Sequence, residues 1–212
     1  MRKNIITIHL IILVFFGLIL LCQSRFTFLI WNLILAIIPF DLSLLCHRQS
    51  HLKQRYLFGI VWLLFFPNAL YMMTDFSHLA SIGVGLSTPT QFIEYAILTG
   101  GVFLGVGLGI FSLLMMYPLF IPKSQLLSRQ IATFSLLSIC SSIAIYLGRF
   151  LRINSWDVLV NLHQTTVKIL SVFDQSEFWI FIGAFSILQL MLMLASYQLQ
   201  KVLMQQPADL KK

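Results

Sequence analysis

The sequence predicts an all-α membrane protein of about six transmembrane helices, with an amphipathic helix on the outer surface between the fifth and sixth. Three observations carry this. Of 212 residues, 58% are hydrophobic and 10% are charged, against about 25% charged in a soluble domain. The apolar residues, nineteen phenylalanines among them, lie in long unbroken runs. In water such runs would expose more apolar surface than a soluble monomer tolerates. The basic residues fall singly or in small groups between the runs. A single integral membrane domain over residues 1–212 is therefore expected.

The formal net charge of +7 has no basic stripe behind it, and a phosphate backbone needs one. Nucleic-acid binding is excluded on that ground. Basic loops on one side of a membrane give the same total.

The first span is expected over about residues 5–21. Arg2 and Lys3 precede it as in a signal peptide, but no small-x-small cleavage site follows. Gln23, Ser24 and Arg25 form a tight turn into the second span, 26–45. The polar stretch from Cys46 to Arg55 leads to the third, 56–73. A loop rich in Gly, Ser, Thr and Pro follows over Ser81–Thr90. The fourth span, 92–121, is long enough to cross with tilt. The fifth covers 130–147 and the sixth 178–199. Between these two, Asn154 caps a helix start and Asp157 reaches back to it. Trp156, Leu159, Val160, Val167 and Leu170 then share one face, with Asn161, Gln164, Lys168 and Ser171 largely opposite. That pattern suits an amphipathic helix at the outer surface.

Ten of the fourteen Lys and Arg residues lie in the two termini and the second and fourth connections. The positive-inside bias then places both termini in the cytoplasm of a bacterium, with the chain multi-pass in its plasma membrane. Cys22, Cys46 and Cys140 fall at different depths. A disulfide, which needs α-carbons within about 7 Å, is not expected.

Several residues stand out chemically. Gly101, Gly105 and Gly109 recur every four residues in the fourth span, a spacing that lets helix backbones approach closely in lipid. On a continuous helix Asn68, Tyr71, Asp75 and His78 fall within an arc of about 80° at the outer end of the third span. Polar groups at this depth are costly unless paired, and they mark candidate sites; a structural hydrogen-bond network is the plainer reading of equal weight. If the fifth helix continues outward, Tyr146, Arg149, Arg152 and Trp156 share one face. Arg149 and Arg152 sit where the charge bias disfavours them, so an acidic partner is expected: Asp75, Asp157 or an anionic lipid headgroup. Snorkelling at the membrane edge is the commoner alternative. Glu94 suits the start of the fourth helix. Asp41 lies toward the inner end of the second, and His9 has no partner nearby in sequence.

Trp62-Leu-Leu-Phe-Phe-Pro-Asn-Ala-Leu-Tyr71, continuing through Thr74-Asp75 to His78-Leu79, resembles the central signature of a known family. Tyr146-Leu-Gly-Arg-Phe-Leu-Arg-Ile-Asn-Ser-Trp-Asp157 is similar to its second motif, and Asn32-Leu-Ile-Leu-Ala-Ile-Ile-Pro39 to a weaker one. The family is the bacterial membrane proteins grouped as domain of unknown function 1361. The likeness covers about residues 26–199, and Leu70 stands where the family often has a second proline. The resemblance implies architecture rather than chemistry.

The candidate ligand-binding residues are thus Asn68, Tyr71, Asp75, His78, Arg149, Arg152, Asn154, Trp156 and Asp157. The expected reading is an outward-facing polar site that binds or transports an anionic or lipid-like ligand, with membrane lipids as partners. One alternative is an outer-face enzyme on a lipid-linked substrate, with Asp75 and His78 as acid and base. Another is a structural or accessory subunit. No cofactor is expected, and no metal: Asp75 and His78 would need a third ligand such as His163 or Glu94, and nothing fixes one.

The charge bias predicts that a single cysteine at Ser87, in a cysteine-free background, labels with an impermeant thiol reagent in intact cells. One at Ser50 should label only after permeabilisation. The reverse pattern would invert the topology.

Overall fold

A computed structural model of the protein describes residues 2–121, 127–152, 166–167 and 170–209. Helix α1 runs over Arg2–Leu21, α2 over Phe28–Arg48 and α3 over Leu52–Tyr71, which continues as a 3-10 helix over Met72–Ile82. Then come α4 over Pro89–Phe120, α5 over Leu127–Phe150 and α6 over Ser176–Asp209. Among the described residues there is no strand, and six helices are long and apolar enough to cross a membrane.

The distribution of polarity is inverted relative to a soluble bundle. Ser43, Ser112, Ser138, Ser141, Ser142, Ser186 and Gln189 are buried between helices, whereas Leu13, Val14, Leu136 and Ile180 point outward. Without a hydrophobic drive between helices in lipid, small and hydrogen-bonding residues become the glue. The α5–α6 seam does this directly: Ser186 Oγ and Gln189 Nε2 both donate to Ser142 Oγ, at 3.1 and 2.9 Å.

Helix α4 joins two apolar cores. One is built with α1 and α2 through Ile12, Leu29, Leu33, Ile97 and Leu98. The other is built with α3, α5 and α6 through Phe66, Leu113, Met116, Phe134 and Met193. The glycine stripe makes this shared position possible. A Cβ on Gly101 would meet Leu29 at 3.0 Å, one on Gly105 would overlap Met72 Sδ, and one on Gly109 would meet Ala69 Cβ at 2.8 Å.

Two boundaries depart from the sequence expectation. The third span, expected over 56–73, is longer: the helix tightens to 3-10 pitch and runs on to Ile82, and Gly83 (φ 107°) then turns the chain. The loop shrinks accordingly, because Thr88 and Gln91 form a reciprocal cap that starts α4 at Pro89. Helix α5 stops at Phe150, and Arg152 takes φ 53°. The face proposed for Tyr146, Arg149, Arg152 and Trp156 therefore does not form as one helical stripe. The amphipathic helix expected from Asn154 lies almost entirely outside the described residues.

Replacing Gly105 by valine should destabilise the protein by about 1–3 kcal/mol, because the added side chain would overlap that of Met72, which is fully buried. Gly107→Val, with nothing within 4 Å of its Cβ, should cost much less. Unfolding in mixed micelles would measure both, and equal losses would remove the stripe's packing role.

Candidate functional site

The change of pitch at Met72 determines which side chains meet. A 3-10 helix has three residues per turn, so side chains three apart eclipse. Met72, Asp75 and His78 thus follow one another on the same face. On α2, Phe28 and Asn32 are one α-helical turn apart and also share a face. The two rows meet in antiparallel order. Asn32 Nδ2 donates to Asp75 Oδ2 at 2.8 Å, and the His78 ring lies 4.6 Å from that of Phe28.

Asp75 is 1% exposed. Arg149, in the last turn of α5, brings Nη1 to 3.9 Å from Asp75 Oδ1. That is an ion-pair distance and too long for a hydrogen bond. The same Nη1 donates to the Tyr71 hydroxyl at 3.4 Å, and Nη2 donates to Ser77 Oγ at 2.6 Å. The guanidinium is therefore aimed by Tyr71 and Ser77 and balanced electrostatically by Asp75. Among the described residues, Asp75 Oδ1 itself is buried without a hydrogen-bond partner. A buried acceptor left in this state is destabilising by about 1–3 kcal/mol, so the carboxylate is held there by its surroundings and by the arginine's field.

The sequence-selected residues separate under this geometry. Tyr71, Asp75 and Arg149 form one connected group, with His78 beside it on Phe28. Among the described residues nothing hydrogen-bonds the Asn68 side chain, and the arc that put it beside Asp75 fails because the helix changes pitch. Arg152 is exposed and makes no ion pair among the described residues. Tyr146 turns away into an aromatic cluster with Phe178 and Phe181. Asn154, Trp156 and Asp157 lie outside the described residues, as does His163. Sequence reasoning missed Asn32 and Ser77. Asn32 had a signal: a lone amide one turn inside an apolar span, at the same end as Asp75.

Two further polar pairs cross between helices. Glu94 accepts from Ser24 Oγ at 2.6 Å and from the Arg25 backbone amide, and lies 3.6 Å from Arg25 Nε. Arg25 Nη1 also donates to the Ser81 carbonyl. This clamp ties the α1–α2 turn to α4 and to the end of the 3-10 helix. At the opposite end His9 does have a partner: Nε2 is 3.3 Å from Asp41 Oδ1, while Nδ1 donates to the Ile5 carbonyl at 2.9 Å. Among the described residues no group of three or more His, Cys, Asp or Glu could hold a metal ion. Cys22, Cys46 and Cys140 are free thiols.

The model of the family described as "Protein of unknown function (DUF1361)" matches residues 31–192. The chain belongs to this family. No curated protein and no solved structure matches it. The DUF1361 match takes in Asn32, Tyr71, Asp75, Ser77 and Arg149, so the whole network lies inside the family region. His9 lies outside it.

Exchange of Asp75 and Arg149 for alanine, singly and together, should show a coupling energy of about 0.5–3 kcal/mol in detergent unfolding. The same cycle with Arg152 should be additive to within about 0.5 kcal/mol. Strict additivity for Arg149 would mean that 3.9 Å proximity carries no interaction.

Proposed function

We propose that the Asp75–Arg149 network is the floor of a binding site for an anionic, lipid-like ligand at the outer face of a multi-pass membrane protein. The observation that carries this is the state of Arg149. Its guanidinium is held by two neutral hydroxyl groups, and its side chain is 26% exposed. A planar guanidinium offers five donors, more than Tyr71 and Ser77 take up. Arg152 adds a second, exposed cation three residues on. Asp75 is too deep to touch a ligand, and its part is to position and balance Arg149.

The acid–base alternative is weaker on the same geometry. Asp75 is 1% exposed, and no hydrogen bond joins it to His78 among the described residues. A general acid or base must reach the proton it transfers, directly or through one water. An outward location of this end rests on the ten-to-four charge bias.

Dodecyl phosphate is a suitable probe, with dodecanol as its uncharged control. Dodecyl phosphate should raise the unfolding temperature of protein in a neutral maltoside detergent, and dodecanol should not. Arg149→Gln and Arg152→Gln should each weaken the response about tenfold, the scale of one lost charge-assisted hydrogen bond of about 1.5 kcal/mol. Equal stabilisation by both amphiphiles, or an unchanged response in both variants, would overturn the reading.

A further inference from the structure

The end of the bundle opposite Arg149 carries a second feature. Helices α3 and α5 both begin there, and between them and the last turns of α4 lies a groove of about 470 Å³. Tyr56, Ile60, Leu63, Leu136, Leu137 and Cys140 are among the residues lining it. Its surface is wholly apolar, and two of its polar side chains bond elsewhere. Trp62 Nε1 donates to Ser112 Oγ at 3.1 Å, and Thr133 Oγ1 donates to the Arg129 carbonyl at 2.9 Å. The volume lies within the range of about 300–1,000 Å³ typical of small-ligand sites. In a membrane it opens to hydrocarbon, not to water.

The mouth of the groove is positively charged. Lys53 stands one turn before Tyr56 on α3, and Arg129 one turn before Thr133 on α5. Both are exposed. Side chains on a helix tilt toward its N-terminus. Because α3 and α5 start at the same end, both cations are directed off the groove toward the headgroup layer, as snorkelling side chains are.

We propose that this groove is a specific site for an anionic phospholipid, one acyl chain lying between α3 and α5 and the phosphate headgroup meeting Lys53 and Arg129. The apolar wall recognises the chain, and the paired cations distinguish an anionic headgroup from a zwitterionic one. The site is separate from the Arg149 network in residues and in position. It stands or falls independently of the function proposed there.

Native mass spectrometry of the full chain in a neutral detergent, titrated with phosphatidylglycerol or phosphatidylcholine of identical chains, tests it. The first phosphatidylglycerol should bind at least tenfold more tightly than phosphatidylcholine. In an Arg149→Gln/Arg152→Gln background, which removes the cations of the other proposed site, Lys53→Gln combined with Arg129→Gln should abolish that preference. Cys140→Trp, which fills the groove from an exposed position, should weaken both lipids. Equal affinity for the two lipids in the wild-type chain would overturn the proposal without recourse to any variant. So would a preference that survives the double substitution, an unchanged affinity in Cys140→Trp, or a second copy of the chain in place of lipid.

Discussion

The contact between Gly105 and Met72 is the constraint on which the rest of the arrangement turns. A side chain on residue 105 would overlap the Met72 sulfur, so α4 and the end of α3 share a space that only a glycine leaves open. Met72 is also where the α-helix gives way to 3-10 pitch. With Met72 anchored on α4, the three-residue repeat carries Asp75 and His78 along the same face to α2. The glycine stripe and the polar network therefore form one device. The stripe sets the depth and rotation of the 3-10 helix, and these determine that the Asp75 carboxylate meets Asn32 and Arg149.

That carboxylate in turn organises the Arg149 end of the bundle. Asn32 comes from α2, Tyr71 from α3 and Arg149 from α5, so three helices converge on one buried charge. A lone carboxylate there would be costly, as would a lone guanidinium. Each offsets the other's desolvation without a direct hydrogen bond. The Glu94 clamp repeats the logic nearby, joining the α1–α2 turn, α4 and the 3-10 helix through one buried acid.

Much of this was legible in the sequence because its causes are local. Apolar run length gave six helices, and the four-residue glycine period gave the close-packed face of α4. The cost of a carboxylate near lipid singled out Asp75, and the positive-inside bias singled out Arg149 and Arg152 as needing an acid, which only Arg149 finds among the described residues. What stayed hidden depends on tertiary structure. Extrapolating 100° per residue past Tyr71 placed Asn68 with Asp75. The chain changes pitch there, under a contact with α4 that no local pattern encodes. The α5 stripe failed similarly, since Arg152 leaves the helix with positive φ. His9 and Asp41 are 32 positions apart, and only the packing of α1 beside α2 reveals them as partners.

The basic residues at the Arg149 end differ in their partners. Three of the described cations lie on the side that the charge bias disfavours: Arg25, Arg149 and Arg152. Arg25 is 3.6 Å from Glu94 and Arg149 is 3.9 Å from Asp75, so two of the three carry a carboxylate that neutralises them. Arg152 carries none among the described residues. It is also exposed and held at φ 53°, a conformation that costs a residue with a Cβ about 1–2 kcal/mol. Structural anchoring explains Arg25 and much of Arg149, but it does not explain a strained, exposed cation beside them. On the proposed function, Arg152 is therefore the group that meets an incoming anion first, and Arg149 is the fixed donor behind it.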